Sequence, residues 1–585
     1  MKRIVDKYNQ LLDARQKNRI FILFFMMLIG AFLEVIGVSL MLPLVSAIMT
    51  PDIIESNKYV AWVCELFDLH SYRTFVIVCI FSLIVVYIVK DLFVILEYYA
   101  QYRFVYNNQF ATQMKLLHAY MKRPYEYYLN AESGEILRVV NADVSNTYAL
   151  LTTLLSLVAE SIVSFALLIT VFVISPYMTI FVAVMMGITM LVIAKIVKPV
   201  LRKEGLRFQQ NSAKSYKWLM QAIDGIKEVK VAQKEAFFED QYEQSGTRLV
   251  KAQRTNSIWQ NIPRLLIEMT SVCSMLAIIA VLIYMGGDVE SLVPALSAFA
   301  MAAVKLLPSA NRIVGAVNSV AYLEPSLDKL LENISILDEY ENKETVAETD
   351  VCVKNTSAKK MQVNDNIEMR GISYHYPNTE KNVLQAANMK IPVGSSVGIV
   401  GSSGAGKTTA VDILLGLLRP QKGQVFADGV DVVENYHEWL AQIGYIPQAI
   451  FMLDDTIRSN IAFGVQTDKQ SDELVWKALE ETQLADFVRS LPDGLETRIG
   501  ERGIRLSGGQ RQRIGIARAL YGNPQLLIFD EATSALDNET ETAIMESINA
   551  LHGKKTMIII AHRLTTIEEC DMVYRVEDGK ILQER

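Results

Sequence analysis

Six apolar stretches in the first 317 residues of the chain, each long enough to cross a bilayer, limit its fold more than any other feature. They lie at Ile20–Met49, Phe75–Leu96, Tyr148–Ile174, Tyr177–Val197, Leu265–Met285 and Leu292–Val317. A membrane helix needs about 20 predominantly apolar residues. The first stretch is too long for the core of a signal peptide and has no clear cleavage site, so it reads as a retained helix. The third and fourth are joined only by Ser175-Pro176, which leaves room for a tight turn and nothing more. A mean hydropathy of +0.22 is high for a soluble protein, and the excess sits in these stretches.

Orientation follows from the basic residues of the loops. Tyr98 to Thr147 holds five Lys or Arg and Lys198 to Arg264 holds thirteen, whereas Thr50 to Thr74 has only Lys58 and Arg73. Both termini are therefore expected in the cytoplasm, as an even number of spans requires. The two basic loops are helical in pattern and extend the membrane helices beyond the bilayer. A net charge of −7 without a basic tail argues against a nucleic-acid partner. The five cysteines (Cys64, Cys79, Cys273, Cys352 and Cys570) are scattered and lack C-x-x-C spacing, so they indicate neither a disulfide framework nor a metal site.

The expected domain plan is a membrane domain over 1–335, a polar linker over 336–366 and an α/β domain of predominantly parallel sheet with an antiparallel edge over 367–585. Within the last, Gly401-Ser-Ser-Gly-Ala-Gly-Lys-Thr-Thr409 follows the apolar run Ser396 to Val400 and precedes a helical pattern. Gly401, Gly404 and Gly406 let successive N–H groups point inward around an anion, with Ser402 and Ala405 between them, and the next helix adds its N-terminal dipole. Lys407 supplies charge for the β- and γ-phosphates of ATP, Thr408 a hydroxyl for Mg²⁺, and Thr409 continues the cradle. Leu526-Leu-Ile-Phe-Asp-Glu531 reads as a buried strand ending in two carboxylates. Asp530 suits the metal, and Glu531 suits polarisation of an attacking water.

Between these lies Leu506-Ser-Gly-Gly-Gln-Arg-Gln-Arg513, and with it the chain resembles the ATP-binding cassette (ABC) transporters. The resemblance implies that Tyr376 stacks on adenine, that Gln448 serves the metal and the attacking water, that Ser534-Ala-Leu-Asp537 is the D-loop and that His562 is the switch histidine. It also implies a half-size exporter of the type IV fold, in which Ser507, Gly509 and Gln510 complete the ATP site of a second subunit. That subunit is expected to be another copy of the chain, with a different half-transporter as the alternative. Tyr128 to Arg138 with Asn141-Ala-Asp143, and Gln221 to Lys230, resemble the coupling regions of such exporters; apart from that resemblance they read as solvated helix faces.

Cargo is not written in the cassette. Ionisable residues inside spans are costly and face a partner or a wet cavity. Lys195 is expected to snorkel and Lys90 with Glu34 to serve structural pairs. Lys305 and Arg312, seven apart and on one helix face, are candidates for a phosphate or pyrophosphate group. Phe32 to Leu44 and Ala300 to Arg312 are similar to the corresponding spans of bacterial lipid-linked oligosaccharide flippases, and Tyr59 to Leu69 has the pattern of their short external helix. That subgroup implies a multi-pass protein of the bacterial cytoplasmic membrane, in contact with lipid, that moves a polyprenyl pyrophosphate glycan. Export of lipids, drugs or peptides, and an ATP-gated channel on the same scaffold, are the alternatives.

Overall fold

The computed structural model describes residues 2–49, 72–174, 176–284, 289–344, 361–377, 379–531, 546, 548, 550–560 and 567–585. The chain forms two compact units. The first contains the amphipathic helix α1 (Lys2–Leu11) and six long helices: α2 (Ala14–Met49), α3 (Tyr72–Met121), α4 (Val144–Ile174), α5 (Pro176–Asp224), α6 (Glu235–Tyr284) and α7 (Val289–Glu344). Each long helix covers one of the six expected spans, the fifth as far as Tyr284. Among the described residues, four segments are long and apolar enough to cross a membrane: Ala14–Glu34, Arg73–Met121, Gly134–Ile169 and Val184–Asp224. The last two spans run through residues whose side chains lie outside the description, and the expected external helix over 59–69 falls wholly outside it.

A bilayer-spanning segment must satisfy its own backbone, which is why these apolar runs are helices. Their outward side chains are apolar: Phe21, Phe25, Phe81, Ile88 and Leu92 are all exposed in the isolated chain, as a lipid-facing surface requires. Inside, α5 lies along α6, α4 along α7, and α2 against α3. The ionisable pair expected inside the bundle is present, with Lys90 Nζ 3.0 Å from Glu34 on the neighbouring helix, and Lys195 is exposed.

Two boundaries differ from the sequence reading. α7 runs on to Glu344, so the first part of the expected linker is helical. Asp338-Glu-Tyr-Glu-Asn-Lys-Glu344 is polar yet rich in Glu, a good helix former, so polarity alone does not break the helix. Pro124–Asn130, which lies between α3 and α4 in the chain, belongs to the second unit. There the Arg419 N–H donates to Glu126 Oε1 at 2.9 Å. Of the expected first coupling region only residues 128–130 fall in that segment. The second expected region is interrupted at Gly225, which precedes a short helix at Ile226–Ala232.

The second unit holds two sheets. β1 (Asn366–Tyr374), β2 (Leu384–Pro392), β4 (Lys422–Ala427) and β5 (Val430–Asp431) form an antiparallel sheet in the order β2-β1-β4-β5. β3 (Ser396–Val400), β6 (Ile443–Ile446), β7 (Leu526–Asp530), β8 (Thr556–Ile560), β9 (Met572–Glu577) and β10 (Lys580–Gln583) form the other, in the order β10-β9-β3-β8-β7-β6. This sheet is parallel except for β10, which pairs antiparallel with β9 at the edge. β3, β7 and β8 are buried along their whole length, as continuous apolar strands of a covered parallel sheet should be. Their C-terminal ends emerge together, which is where open α/β sheets bind ligands.

Candidate functional site

The phosphate cradle grows directly from the end of β3. Gly401 takes φ +153°, and a Cβ there would stand 2.5 Å from the Val576 carbonyl oxygen, so no other residue fits. Gly406, at φ +105°, precedes α8 (Lys407–Leu414), and a Cβ on it would meet Val383 at 2.9 Å. The loop is thus forced to expose backbone N–H groups at a helix N-terminus. Lys407 is buried, and its ammonium donates to the carbonyls of Gly401 at 2.9 Å and Ser402 at 3.2 Å, which curls the side chain over the cradle. Thr409 Oγ1 and the Tyr376 hydroxyl are 2.9 Å apart, and the Tyr376 ring stands edge-on to Tyr374. An aromatic face is thereby held beside the phosphate loop, where the sequence places an adenine platform.

β7 carries Asp530 to the same place. Its carboxylate accepts from Thr408 Oγ1 at 3.5 Å and from the Tyr445 hydroxyl at 3.3 Å. Burial holds the Asp530 carboxyl above the usual range, and the neighbouring Glu531 charge adds to the effect. Glu531 adopts φ +50°, a strained conformation for a non-glycine residue, and its N–H donates to the Ile560 carbonyl at 3.1 Å. Gln448, from the loop after β6, donates through Nε2 to Glu531 Oε2 at 2.8 Å. Two residues 83 positions apart are so brought into one hydrogen bond at the strand end. Thr408, Asp530 and Gln448 offer hard oxygen donors that fit Mg²⁺; that ion would supply positive charge against the phosphates of a bound nucleotide.

The signature opens α9 (Gly508–Tyr521). Ser507 is its N-cap, with the Gln510 N–H donating to Ser507 Oγ at 3.2 Å and the Ser507 N–H to Gln510 Oε1 at 2.8 Å. This reciprocal cap fixes the helix start. Ser507 stays exposed while Gly509 is buried, so the hydroxyl and the helix N-terminus are presented outward. His562 and the stretch 534–537 lie outside the described residues.

Sequence reasoning missed two residues. Tyr445 reads as an ordinary strand residue, yet its hydroxyl holds Asp530. Asp412 sits on α8 behind the cradle, where burial and the Asp530 charge push its carboxyl from 3.8 up to about 6. A raised carboxyl favours the folded state below its ordinary pKa, and that contribution is lost as pH rises through about 6. Asp412→Asn is therefore expected to raise the melting temperature of the full chain by a few degrees at pH 7.5 and to have little effect near pH 4. Equal shifts at both pH values would show that the Asp412 charge carries no such cost.

In the membrane unit, Arg312 Nη2 donates to Glu160 Oε2 at 3.1 Å. The guanidinium that the sequence offers to a phosphate or pyrophosphate group already has a carboxylate partner. Lys305 lies on the same helix, but its side chain is outside the description.

Comparison with known proteins covers both units. Residues 20–302 match the family model described as ABC transporter transmembrane region, and residues 384–534 the one described as ABC transporter. An ATP-dependent lipid A-core flippase from Photorhabdus laumondii is 43% identical over 223 residues, 38% of this chain and 38% of that protein. The chain thus aligns with well under half of that relative. One of the same description from Bordetella avium is 28% identical over 458 residues, 77% of this chain and 74% of that protein. A solved bacterial Atm1-family ABC exporter with ATP bound superposes with a TM-score of 0.72 at 22% identity, covering 97% of this chain and 95% of that one. At that identity the likeness concerns the fold.

Proposed function

The chain belongs to the ABC transporters, with a membrane domain and an ATP-binding domain fused in one polypeptide, and from that premise we propose that it hydrolyses ATP to move a lipid-borne glycan across the bacterial cytoplasmic membrane. The observation that carries the ATPase reading is the hydrogen bond between Gln448 and Glu531 at the end of β7, beside the Thr408–Asp530 contact. It sets a carboxylate where an attacking water would be polarised and a metal-binding oxygen pair next to it. Lys407 and the cradle hold the phosphates, Tyr376 takes the adenine, and His562 stands in the switch position of the sequence. Thr408, Asp530 and Gln448 would hold Mg²⁺.

Each ATP site is shared between two copies, the outward-facing Ser507 with Gly509 and Gln510 closing over the partner's nucleotide. The termini lie in the cytoplasm, as the basic loops require. Relatives described as lipid A-core flippases support a glycolipid cargo, and within that class we assign a polyprenyl pyrophosphate glycan, received by Lys305 and Arg312. Purified protein in proteoliposomes tests this. Lys305→Gln combined with Arg312→Gln is expected to slow ATP-dependent flipping of a lipid-linked glycan at least tenfold, with basal ATPase within twofold of the unsubstituted protein. Undiminished flipping refutes the pyrophosphate role, and faster flipping of lipid A than of any lipid-linked glycan assigns the other glycolipid.

A further inference from the structure

A cavity of about 490 Å³ lies within the membrane unit, lined by α2, α3, α4 and α7, and among the described residues its charges do not balance. Three carboxylates face it, from Glu34, Glu97 and Glu160. Glu34 is paired with Lys90 at 3.0 Å and Glu160 with Arg312. Among the described residues nothing pairs with Glu97, although only 7% of it is exposed. One turn further along α3, Gln101 is 3% exposed and its side-chain nitrogen has no hydrogen-bond partner. Both residues line the cavity, together with the Tyr98 side chain. Gly30 on α2 makes the room: a Cβ there would stand 2.6 Å from Glu97 Oε2.

A desolvated carboxylate without a cation is unfavourable, and so is a buried donor without an acceptor. Placed i,i+4 on one helix face, the two ask for a ligand that brings a positive charge and an oxygen acceptor a few bonds apart. A protonated amine with a neighbouring hydroxyl or ether oxygen does so. A phosphate placed directly against Glu97 does not, because that carboxylate would repel it. The Tyr98 ring can add a cation–π contact. We propose that Glu97 and Gln101 form a binding site for an amino alcohol or amino sugar group carried by the cargo. This deepens the reading of the membrane unit as a glycolipid carrier and rests on it.

The test uses the unsubstituted full chain in nanodiscs without ATP, so that it reads binding and not transport. A hydrophobic carbodiimide attacks desolvated carboxyls, and labelling of Glu97 can be followed by mass spectrometry, with Glu97→Gln confirming the modified position. Protonated N,N-dimethylethanolamine (no tail) and N-hexyl-N-methylethanolamine (tailed), neither of which can form an amide, are expected to slow labelling at least fivefold. Protection by the free amino alcohol points to a head group that binds on its own, and protection by the tailed amine alone to a lipid-borne amine. Equal protection by hexanol or by sodium chloride would overturn the proposal in favour of an apolar or inorganic occupant, as would no protection by either amine. Loss of amine protection in a preparation that still flips lipid-linked glycan sinks the amine site alone. Protection in a preparation that flips no glycolipid supports the amine site and sinks the carrier reading.

Discussion

Glu531→Gln is expected to lower the rate of ATP hydrolysis about 100- to 1000-fold or more while leaving ATP binding intact. The substitution preserves size and the left-handed backbone at φ +50°, and an amide can still meet Gln448 across the 2.8 Å contact. What it removes is the negative charge that polarises water, a contribution needed in the transition state and not in the ground state. The phosphate loop and Lys407 are untouched, so nucleotide affinity should hold and the nucleotide-bound form should accumulate. Steady-state ATPase and equilibrium nucleotide binding on the same preparation check both halves. Near-normal turnover would remove Glu531 from the catalytic role, and a parallel loss of binding would make it a structural residue of the strand end.

The parts of this site that are legible in the sequence are those written in contiguous runs. The cradle at 401–409, the acidic end of β7 and the cap of α9 each need neighbouring residues in fixed register, so the pattern and the geometry are the same information. Tyr445 and Asp412 are illegible because their partners come through the sheet. A tyrosine in Ile443-Gly-Tyr-Ile446 reads as core, and an aspartate in a helix reads as a solvated face. Only the adjacency of β6 and β7 brings the Tyr445 hydroxyl to Asp530. The membrane helices are legible for a different reason, because a bilayer leaves helix as the one way for such runs to satisfy their backbone. Which cations inside the bundle have partners is not, since Arg312 and Glu160 lie 152 residues apart and meet only through the packing of α4 against α7. The antiparallel sheet β2-β1-β4-β5 is read in the sequence as no more than an antiparallel edge, because its strands give the same alternating pattern whichever sheet they join.

A dimer joining one Lys407→Ala subunit to one Ser507→Ala subunit is expected to occlude about half the nucleotide of the unsubstituted dimer, whereas each singly substituted homodimer occludes almost none. The reasoning starts at α9. Ser507 and Gly508, at the start of α9, are exposed, so the helix N-terminus and the hydroxyl can meet an anion brought by another molecule. If each site takes Lys407 from one copy and Ser507 from the other, both lesions of the mixed dimer fall on one site and the second site is intact. If each chain closed over its own nucleotide, both sites would be damaged and occlusion would fall to the level of the homodimers. Measuring occluded nucleotide, and not turnover, keeps the outcome independent of whether two sites must fire together. Linked subunits fix the composition of the dimer. Half-occupancy establishes the shared site, and homodimer-like loss returns Ser507 to the role of a helix cap alone.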